Sequence, residues 1–290
     1  MFLTMIITLR RRPAIPPDLF FEYWVNAHAG QIASRLPGIH NLRLHELSYD
    51  LGLLWPRVPG VAVELDEKDR FDGIPEPAFE SEEGLQQFLA AMAPLMDDEA
   101  NIFEETIAYR SFGDNSRTFV DRTDANGGSG LLRFLLFLQA RDGVPVDAFR
   151  GYLADELVPG LAGSEQVLMA RLHLFEPYTD DYGGLDVRGL SHAKPSEKQY
   201  QAMCELAFRD GLALGVFARS VDWTGTLERQ AEHIRACHPF GVPVVHTLRR
   251  DGELTLAGLR TPLIADLIER VGAASQLEPA VVDLVLGRTS

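Results

Sequence analysis

Cysteine is scarce in this chain, and several common sequence signatures are missing from it. Cys204 and Cys237 are the only cysteines among 290 residues, and they form no Cys-x-x-Cys pair. This spacing argues against a disulfide framework and against a cysteine-based metal site. The chain also has no Gly-x-Gly-x-x-Gly after a strand, no P-loop and no Gly-x-Ser-x-Gly turn. Nicotinamide, ATP and serine-hydrolase chemistry therefore have no support in the sequence.

Positive charge is also in short supply. Lys and Arg number 27 against 42 Asp and Glu, which gives a net charge of −15. Such a charge repels phosphate groups, so nucleic acid and anionic membranes are not expected as partners. Acidic runs such as Asp97-Asp98-Glu99 fall in loops and helix ends, where a solvated surface is expected. The charge therefore does not indicate a cationic substrate.

Long hydrophobic runs are missing as well. The N-terminal apolar run covers only residues 1–9, and the positive charges of residues 10–12 follow it. This order is the reverse of a signal peptide, and the run is too short to span a membrane. We therefore expect a cytoplasmic protein.

A repeat at constant offset organises what is present. The triplet Arg-Leu-His occurs at residues 43–45 and again at 171–173, and 171 − 43 = 128. The same offset carries Phe21 to Phe149, Trp24 to Tyr152 and His28 to Glu156 without a gap. A repeat of this length is the size of a domain. The chain is therefore predicted to contain two copies of one small fold, which differ at the His28 position.

Apolar periodicity and turn residues predict the order β-α-β-β-α-β in each copy. In the first copy the predicted strands are residues 2–9, 39–49, 58–65 and 105–112, with helices at 17–35 and 84–96, an N-cap at Ser81 and a loop at 66–79. In the second copy they are 131–139, 167–175, 200–209 and 242–249, with helices at 145–161 and 223–237. An extra C-terminal helix at 262–274 is expected to cover an edge or to dock against another chain, as in a homodimer.

These elements predict an α+β fold. Residues 1–114 form the first ferredoxin-like unit, 115–130 a glycine-rich linker, and 131–290 a second, diverged unit with an insertion at 178–195. A single unit leaves one face of its sheet bare, and two sheets packed together hide both bare faces. We therefore expect an intrachain α+β barrel, with the two units packed sheet to sheet.

Four short motifs in the first copy resemble the EthD family, a member of the dimeric α+β barrel superfamily. They are Ile6-Ile7-Thr8-Leu9-Arg10-Arg11-Arg12-Pro13, Phe20-Phe21-Glu22-Tyr23-Trp24, His28-Ala29 and Leu36-Pro37-Gly38. The resemblance covers about residues 1–112, and the second copy lacks the His-Ala pair. It implies the barrel fold and a pocket between sheet and helices. Relatives in the superfamily include cofactor-free monooxygenases, polyketide cyclases, lactone isomerases and haem proteins.

His28 is the leading candidate for catalysis. It lies four residues after Trp24 and four before Ile32, so these side chains share an apolar helix face that should look toward the sheet. An imidazole there is either a core histidine bonded to a backbone carbonyl or a group at a cavity wall. In the second role it suits general acid–base chemistry.

Aromatic residues near His28 and its counterpart are the candidate pocket walls, namely Tyr23, Trp24 and Tyr152. Glu156 occupies the position of His28 in the second copy. A carboxylate among apolar neighbours could have a raised pKa and act as a second base. It could equally be a helix residue that faces solvent.

The repeated strand residues Arg43, His45, Arg171 and His173 form the third candidate group. If both strands turn this face toward the partner sheet, the four side chains approach the barrel interior or its rim. Buried charges need partners, so a structural hydrogen-bond network between the copies is one interpretation. An anionic substrate held by two arginines is the other.

No metal site and no cofactor are predicted. His233 and His238 flank Cys237 at a predicted helix end, but a spacing of five does not place two ligands on one helix face. With His246 they are expected to be surface or loop residues. A haem ligand among them stays open.

The sequence leaves three functions open. The first is a cofactor-free enzyme that oxidises or isomerises a hydrophobic aromatic or polyketide-like compound, an oxidoreductase or isomerase with His28 as its base. The second is a non-catalytic ligand-binding or accessory barrel. The third is a haem-binding barrel. A cavity of several hundred Å³ at His28 would favour the enzyme.

Overall fold

The computed structural model describes residues 1–123, 130–179 and 189–288. The strands are β1 (Leu3–Arg11), β2 (Asn41–Ser48), β3 (Gly73–Phe79), β4 (Phe103–Phe112), β5 (Ser116–Asp121), β6 (Leu132–Ala140), β7 (Val167–Leu174), β8 (Ala202–Phe208), β9 (Ile234–Arg250) and β10 (Glu253–Leu254). The α-helices are α1 (Pro17–Tyr23), α2 (Tyr49–Gly52), α3 (Glu82–Ala91), α4 (Ala93–Ile102), α5 (Val146–Gly151), α6 (Val158–Ala162), α7 (Gly211–Phe217), α8 (Val221–Thr224), α9 (Leu227–His233), α10 (Leu256–Arg260), α11 (Pro262–Val271) and α12 (Pro279–Val285).

Two of the helices continue as π-helices. α1 runs into a π-helix at Trp24–Ile32 and a 3-10 turn at Ala33–Arg35, and α5 runs into a π-helix at Tyr152–Leu157. Each π-helix begins at an aromatic residue, and 152 − 24 = 128. The local backbone therefore repeats at the offset seen in the sequence.

The strands form one antiparallel sheet in the order β4-β1-β3-β2-β9-β6-β8-β7-β5, with β10 paired to β9. The order β4-β1-β3-β2 is that of a ferredoxin-like unit, and β9-β6-β8-β7 repeats it. The prediction of two ferredoxin-like units is therefore confirmed.

The C-terminal part of each unit's last strand, or its continuation, pairs with a strand of the other unit. Residues 234–241 of β9 pair with β6, and residues 241–249 pair with β2 of the first unit. In the same way β4 pairs with β1, and its continuation β5 pairs with β7 of the second unit. The sheet thus passes from one unit to the other on both sides and closes the barrel.

The two faces of the sheet contribute to different hydrophobic cores, because successive side chains of a strand point to opposite faces. Met5 of β1 and Leu136 of β6 pack under the helices of their own units, whereas Ile6 and Phe137 point into the barrel. The barrel interior is filled largely by aromatic residues from both units, namely Phe71, Tyr109, Phe137, Phe175, Tyr200 and Phe240.

The third strand lies where the sequence predicts a loop. Residues 58–65 are not a strand of the sheet, and β3 falls within 66–79 instead. Pro75 and Pro77 of β3 lack a backbone donor, which is why this segment looks like a loop. β3 tolerates them because it pairs with β2 throughout, while its pairing with β1 is confined to its two ends.

The misassigned apolar run belongs to the other unit. Trp55, Val58 and Val61 are buried in the helix-side core of the second unit, and Ala62 bridges Ala236 of β9. Its hydrophobic pattern therefore reflects a partner distant in sequence, which a local pattern does not reveal.

The predicted helix at 223–237 is wrong beyond His233. α8 and α9 occupy its first part, and β9 begins at Ile234, so Cys237 and His238 lie on a strand. The predicted helix at 84–96 is divided at Met92 into α3 and α4. Ser81 caps α3 as expected, its Oγ accepting from the Gly84 N–H at 3.2 Å.

The predicted linker at 115–130 contains β5 at its start, so residues 116–121 belong to the sheet. Residues 124–129 of that linker and 180–188 of the predicted insertion lie outside the described residues. The division of the chain at 114 and 131 stays a prediction.

The extra C-terminal helix, α11, docks within its own chain. The Leu263 N–H donates to Asn26 Oδ1 at 2.9 Å, and Arg35 Nη2 donates to the Leu259 carbonyl at 2.7 Å. α10 and α11 thus cover the helical segment that carries His28. A homodimer through this helix stays a prediction.

Candidate functional site: a histidine–aspartate pair under the first sheet

The segment that carries His28 is anchored to the sheet by Trp24. The Trp24 side chain is fully buried, and a Cβ added at Gly73 of β3 would lie 2.6 Å from its ring. Only glycine at that place on β3 therefore lets the indole reach the sheet. The π-helix that follows is a local feature often found at functional sites.

His28 is held by a carboxylate. Its side chain is 4% exposed, and its Nδ1 lies 2.9 Å from Asp98 Oδ2. Asp98 Oδ1 accepts from the Tyr23 hydroxyl at 2.8 Å and from Asn101 Nδ2 at 3.1 Å. The hydrogen bond from His28 is the largest cause that lowers the pKa of Asp98 to about 2.

This pair fixes the tautomer of the imidazole. Asp98 is ionised at neutral pH and can only accept, so His28 donates through its Nδ1–H. In the neutral ring the lone pair then resides on Nε2, which is the arrangement of a general base.

A second carboxyl group lies beside the pair. Glu99 follows Asp98 on α4, and its Oε2 is buried without a hydrogen-bond partner among the described residues. Burial, followed by the charge of Asp98, raises the pKa of Glu99 to about 8. The raised pKa favours the neutral form of Glu99, which can donate a hydrogen bond.

His28 and Glu99 line the same cavity between α4, the π-helix and the first sheet. Its volume is about 50 Å³, and its other walls are apolar, including Ile7, Trp24, Leu44 and Phe103. This volume holds one or two water molecules, whereas pockets for organic ligands measure roughly 300–1,000 Å³. A substrate could enter only if α4 or the segment at 24–35 moved.

The other predicted wall and catalytic residues are not brought to this cavity. Tyr23 is 36% exposed and lies on the outer side of Asp98. Tyr152 is buried in the helix-side core of the second unit, stacked on His233 at 4.2 Å. Glu156 is exposed and pairs with Arg229 at 3.0 Å. Trp24 alone among the predicted aromatic walls lines the cavity with His28.

The repeated strand residues meet inside the barrel. Glu76 of β3 accepts from Arg43 Nη2 at 2.8 Å, from His45 Nε2 at 3.0 Å, and from both terminal nitrogens of Arg171 at 2.9 and 2.8 Å. Burial opposes the ionisation of Glu76, but Arg43 and His45 outweigh it and lower its pKa. The structure thus ties β2 and β3 of the first unit to β7 of the second.

A second carboxylate completes this cluster. Glu205 of β8 accepts from Arg171 Nε at 2.6 Å and pairs with Arg133. His173 completes the set, with its Nδ1 at 2.9 Å from Ser116 Oγ. Burial is the largest cause that lowers the pKa of His173.

The remaining histidines do not assemble a cofactor site. His238 is buried, against expectation, and its Nδ1 lies 2.8 Å from the Tyr200 hydroxyl, while His246 pairs with Glu46 at 2.8 Å. Within residues 1–123, 130–179 and 189–288, no group of three or more His, Cys, Asp or Glu could hold a metal ion. The cavity at His28, of about 50 Å³, is far too small for a porphyrin.

A cavity of about 850 Å³ lies at the end of β1. Its basic residues are mostly paired with its acids: Arg11 lies 3.2 Å from Asp72, and Arg10 lies 3.4 Å from Glu104. It is therefore an open, charge-balanced cleft.

Sequence reasoning missed Asp98, Glu99, Glu76 and Glu205. Asp98 and Glu99 belong to a run interpreted as solvated surface. A signal was present, because Glu99 follows Leu95 by four residues and Asp98 precedes Ile102 by four, which places carboxylates on the apolar face of a helix. Glu76 lay in the segment taken for a loop.

Similar proteins were found among solved structures alone, since no family model and no curated protein sequence matches the chain. A candidate monooxygenase from Fusobacterium nucleatum has a TM-score of 0.52 at 8% identity, covering 87% of this chain and 96% of that one. The shared feature is the fold.

Two further structures have TM-scores of 0.48. They are a candidate monooxygenase from Lactobacillus acidophilus, at 8% identity over 86% of this chain and 98% of that one, and an anthrone oxidase-like protein, at 12% identity over 85% and 93%. The EthD resemblance therefore rests on its motifs.

No helix in the described part of the chain is long and apolar enough to cross a membrane.

Proposed function

We propose that this chain is a small-molecule enzyme that works by proton transfer, without a cofactor, on a hydrophobic aromatic or polyketide-like compound. The observation that carries the proposal is the His28–Asp98 pair at the wall of an apolar cavity that Glu99 also lines. The pKa of Asp98 is lowered and that of Glu99 is raised, and neighbouring groups whose pKa values are shifted in opposite directions are a common pattern in active sites.

Each group has a separate role in this proposal. His28 Nε2 removes a proton from a weakly acidic C–H group, and Asp98 stabilises the imidazolium that forms. Glu99 donates a hydrogen bond to the substrate oxygen on which negative charge develops. In an oxidation, the carbanion adds to O₂, the imidazolium returns its proton to the peroxide that forms, and loss of water leaves a carbonyl group. In an isomerisation, the carbanion is reprotonated at another carbon. Oxidation is the reaction class for which the Fusobacterium nucleatum protein is named.

A non-catalytic barrel is the second candidate. The observation that favours it is the small volume of the cavity, about 50 Å³. In that case His28 and Asp98 only close the core of the first unit.

Deuterium exchange tests the shared step of both reactions. The protein is incubated in D₂O with a panel of anthrones, tetralones and naphthols, and NMR measures deuterium incorporation while an electrode measures O₂ uptake. We expect exchange above the buffer rate and a loss of about 100-fold or more in His28→Ala, the usual range for a removed general base. Glu156→Ala changes the equivalent residue of the second unit and should exchange at the wild-type rate.

The outcomes separate the candidates. Exchange that is lost in His28→Ala at an unchanged melting temperature supports the enzyme, and O₂ uptake then selects oxidation over isomerisation. Wild-type protein that exchanges no proton of any compound in the panel contradicts it. So does a His28→Ala variant that exchanges as fast as the wild type.

A further inference from the structure

A second cavity lies on the opposite face of the strand that lines the His28 site. β2 turns Leu44 toward the His28 cavity and Arg43 toward the barrel interior, where a separate cavity of about 150 Å³ opens. A water molecule takes about 30 Å³ in the liquid, so this space holds a small polyatomic ion together with water.

The lining of this cavity is strongly basic. Arg43, Arg117 and Arg171 are among its lining residues, and Glu76 is the lone carboxylate among those that the structure describes. Glu205, which lies deeper, also takes a hydrogen bond from Arg171. Even with Glu205 included, the carboxylates are outnumbered by the three arginines that line the cavity.

The two central arginines have different tasks. Arg171 is almost fully buried, and its Nε, Nη1 and Nη2 all donate hydrogen bonds to Glu205 and Glu76. It is therefore a fixed part of the cavity wall. Arg43 has a side chain that is 25% exposed, and its hydrogen bond to Glu76 engages one of five N–H donors. Arg43 therefore presents donors at the mouth of the cavity.

His173 adds an unsatisfied polar atom to the same lining. It is 3% exposed, its Nδ1 is engaged with Ser116 Oγ, and its Nε2 is buried with no hydrogen-bond partner among the described residues. Buried polar atoms without partners are rare, and a bound ligand is one way in which such an atom is satisfied.

We propose that this cavity binds a small oxyanion, the carboxylate or phosphate group of a metabolite, with Arg43 as its principal ligand. The guanidinium group is a planar fork of N–H donors that can bind two oxygens of a carboxylate or phosphate group at once. The site is independent of the proton-transfer chemistry at His28, because the first sheet lies between the two cavities.

Isothermal titration of the full chain tests the proposal, with inorganic phosphate, sulfate and acetate as probes at constant ionic strength in chloride. Thr118 is an exposed residue at the cavity. Thr118→Glu places a carboxylate there and should abolish binding, whereas Thr118→Gln, of equal size and without charge, should bind within about twofold of the wild type. Arg43→Gln should weaken binding by about tenfold or more, since charge-assisted hydrogen bonds are lost.

Each outcome either supports or overturns the proposed anion site. Saturable binding of any of the three anions that survives Thr118→Gln and fails in Thr118→Glu supports the site, even if Arg43→Gln does not fold. No saturable binding up to roughly 20 mM, or equal binding in the two Thr118 variants, overturns it. His28→Ala should bind the anion like the wild type, so failure of the proposed enzyme and failure of this site are distinguishable.

Discussion

The helix layers of the two units have the same backbone plan and opposite contents. In the first, His28 and Glu99 line a small cavity, and Asp98 pairs with His28. In the second, the corresponding layer is packed with aromatic and aliphatic side chains, including Phe149, Phe217 and Trp223. Glu156, which the 128-residue offset aligns with His28, is exposed and pairs with Arg229. The first unit therefore has polar groups between its helices and its sheet, whereas apolar side chains fill the corresponding layer of the second unit.

Two features account for this difference. Trp55, from the first unit, fills part of the helix-side core of the second. At the sheet, Gly73 pairs with Leu9 and Ala202 pairs with Leu138, so the two small residues occupy equivalent places. The glycine accepts the indole of Trp24, whereas the second π-helix begins with Tyr152.

The strongest test concerns what the units share, the buried cluster between them. Arg171→Met removes the hydrogen bonds that Glu76 and Glu205 receive from Arg171 and leaves two buried carboxylates poorly compensated. Breaking a buried ion pair in this way costs about 3–5 kcal/mol. Urea denaturation should show a loss of this size in the free energy of unfolding.

The matched control for that variant is Arg229→Met, which breaks the exposed pair with Glu156. Exposed pairs contribute about 0–1 kcal/mol. If both variants lost the same small amount, the cluster would have no special role in joining the units.

The second test concerns the sheet position that distinguishes the copies. Gly73→Ala places a Cβ 2.6 Å from the Trp24 ring, and the indole must shift. Overpacking of this kind costs about 1–3 kcal/mol, and we expect a matching fall in the free energy of unfolding with loss of any exchange activity at His28. Ala202→Gly, at the equivalent place, should cost about 1 kcal/mol and leave activity unchanged. Equal losses of activity in both variants would contradict the assignment of the site to the first unit.

The smallest expected effect is a pH-dependent loss of stability when Asp98 is replaced, which is not expected when Glu156 is replaced. The pKa of Asp98 is about 2 in the folded state and about 3.9 in an unfolded chain. A lowered pKa contributes stability above pH 4 that is lost as the pH falls toward 2. Asp98→Asn should therefore be less stable than the wild type by about 1 kcal/mol at pH 5, after allowance for solvent screening, and by less at pH 3.

Glu156→Gln is the control, because Glu156 lies on the surface of the second unit. Urea denaturation at pH 5 and pH 3 measures both variants. An Asp98→Asn deficit that stays constant between these pH values would show that the His28–Asp98 pair is not the source of the stability.

Much of the fold could be predicted because its signals are local. Apolar patterns along β1, β2, β6 and β7 and the period of the helix at 17–35 predicted these elements, and the 128-residue offset indicated two units. The third strand could not be found in the same way, because two prolines occupy it and the apolar run before it packs on the other unit. The start of β9 was missed because the strand serves two units and is longer than either needs.

The candidate site likewise contains residues that local patterns predict and residues that they do not. His28 and Trp24 share a helical period that is visible in the sequence, and the Arg-His pairs of β2 and β7 repeat visibly. Their partners are carboxylates on other elements, Asp98 at a distance of 70 residues and Glu76 at 95 from Arg171. A carboxylate looks the same in sequence whether it faces water or a histidine.

The sequence by itself therefore determined the type of fold, its duplication and the place where the copies differ, because these follow from periodicity and repetition along the chain. The tertiary structure decided which charges are paired, which cavity each histidine faces and how little space lies beside His28. Those properties depend on distances between segments that are far apart in the chain, and on the burial that sets the pKa of each group.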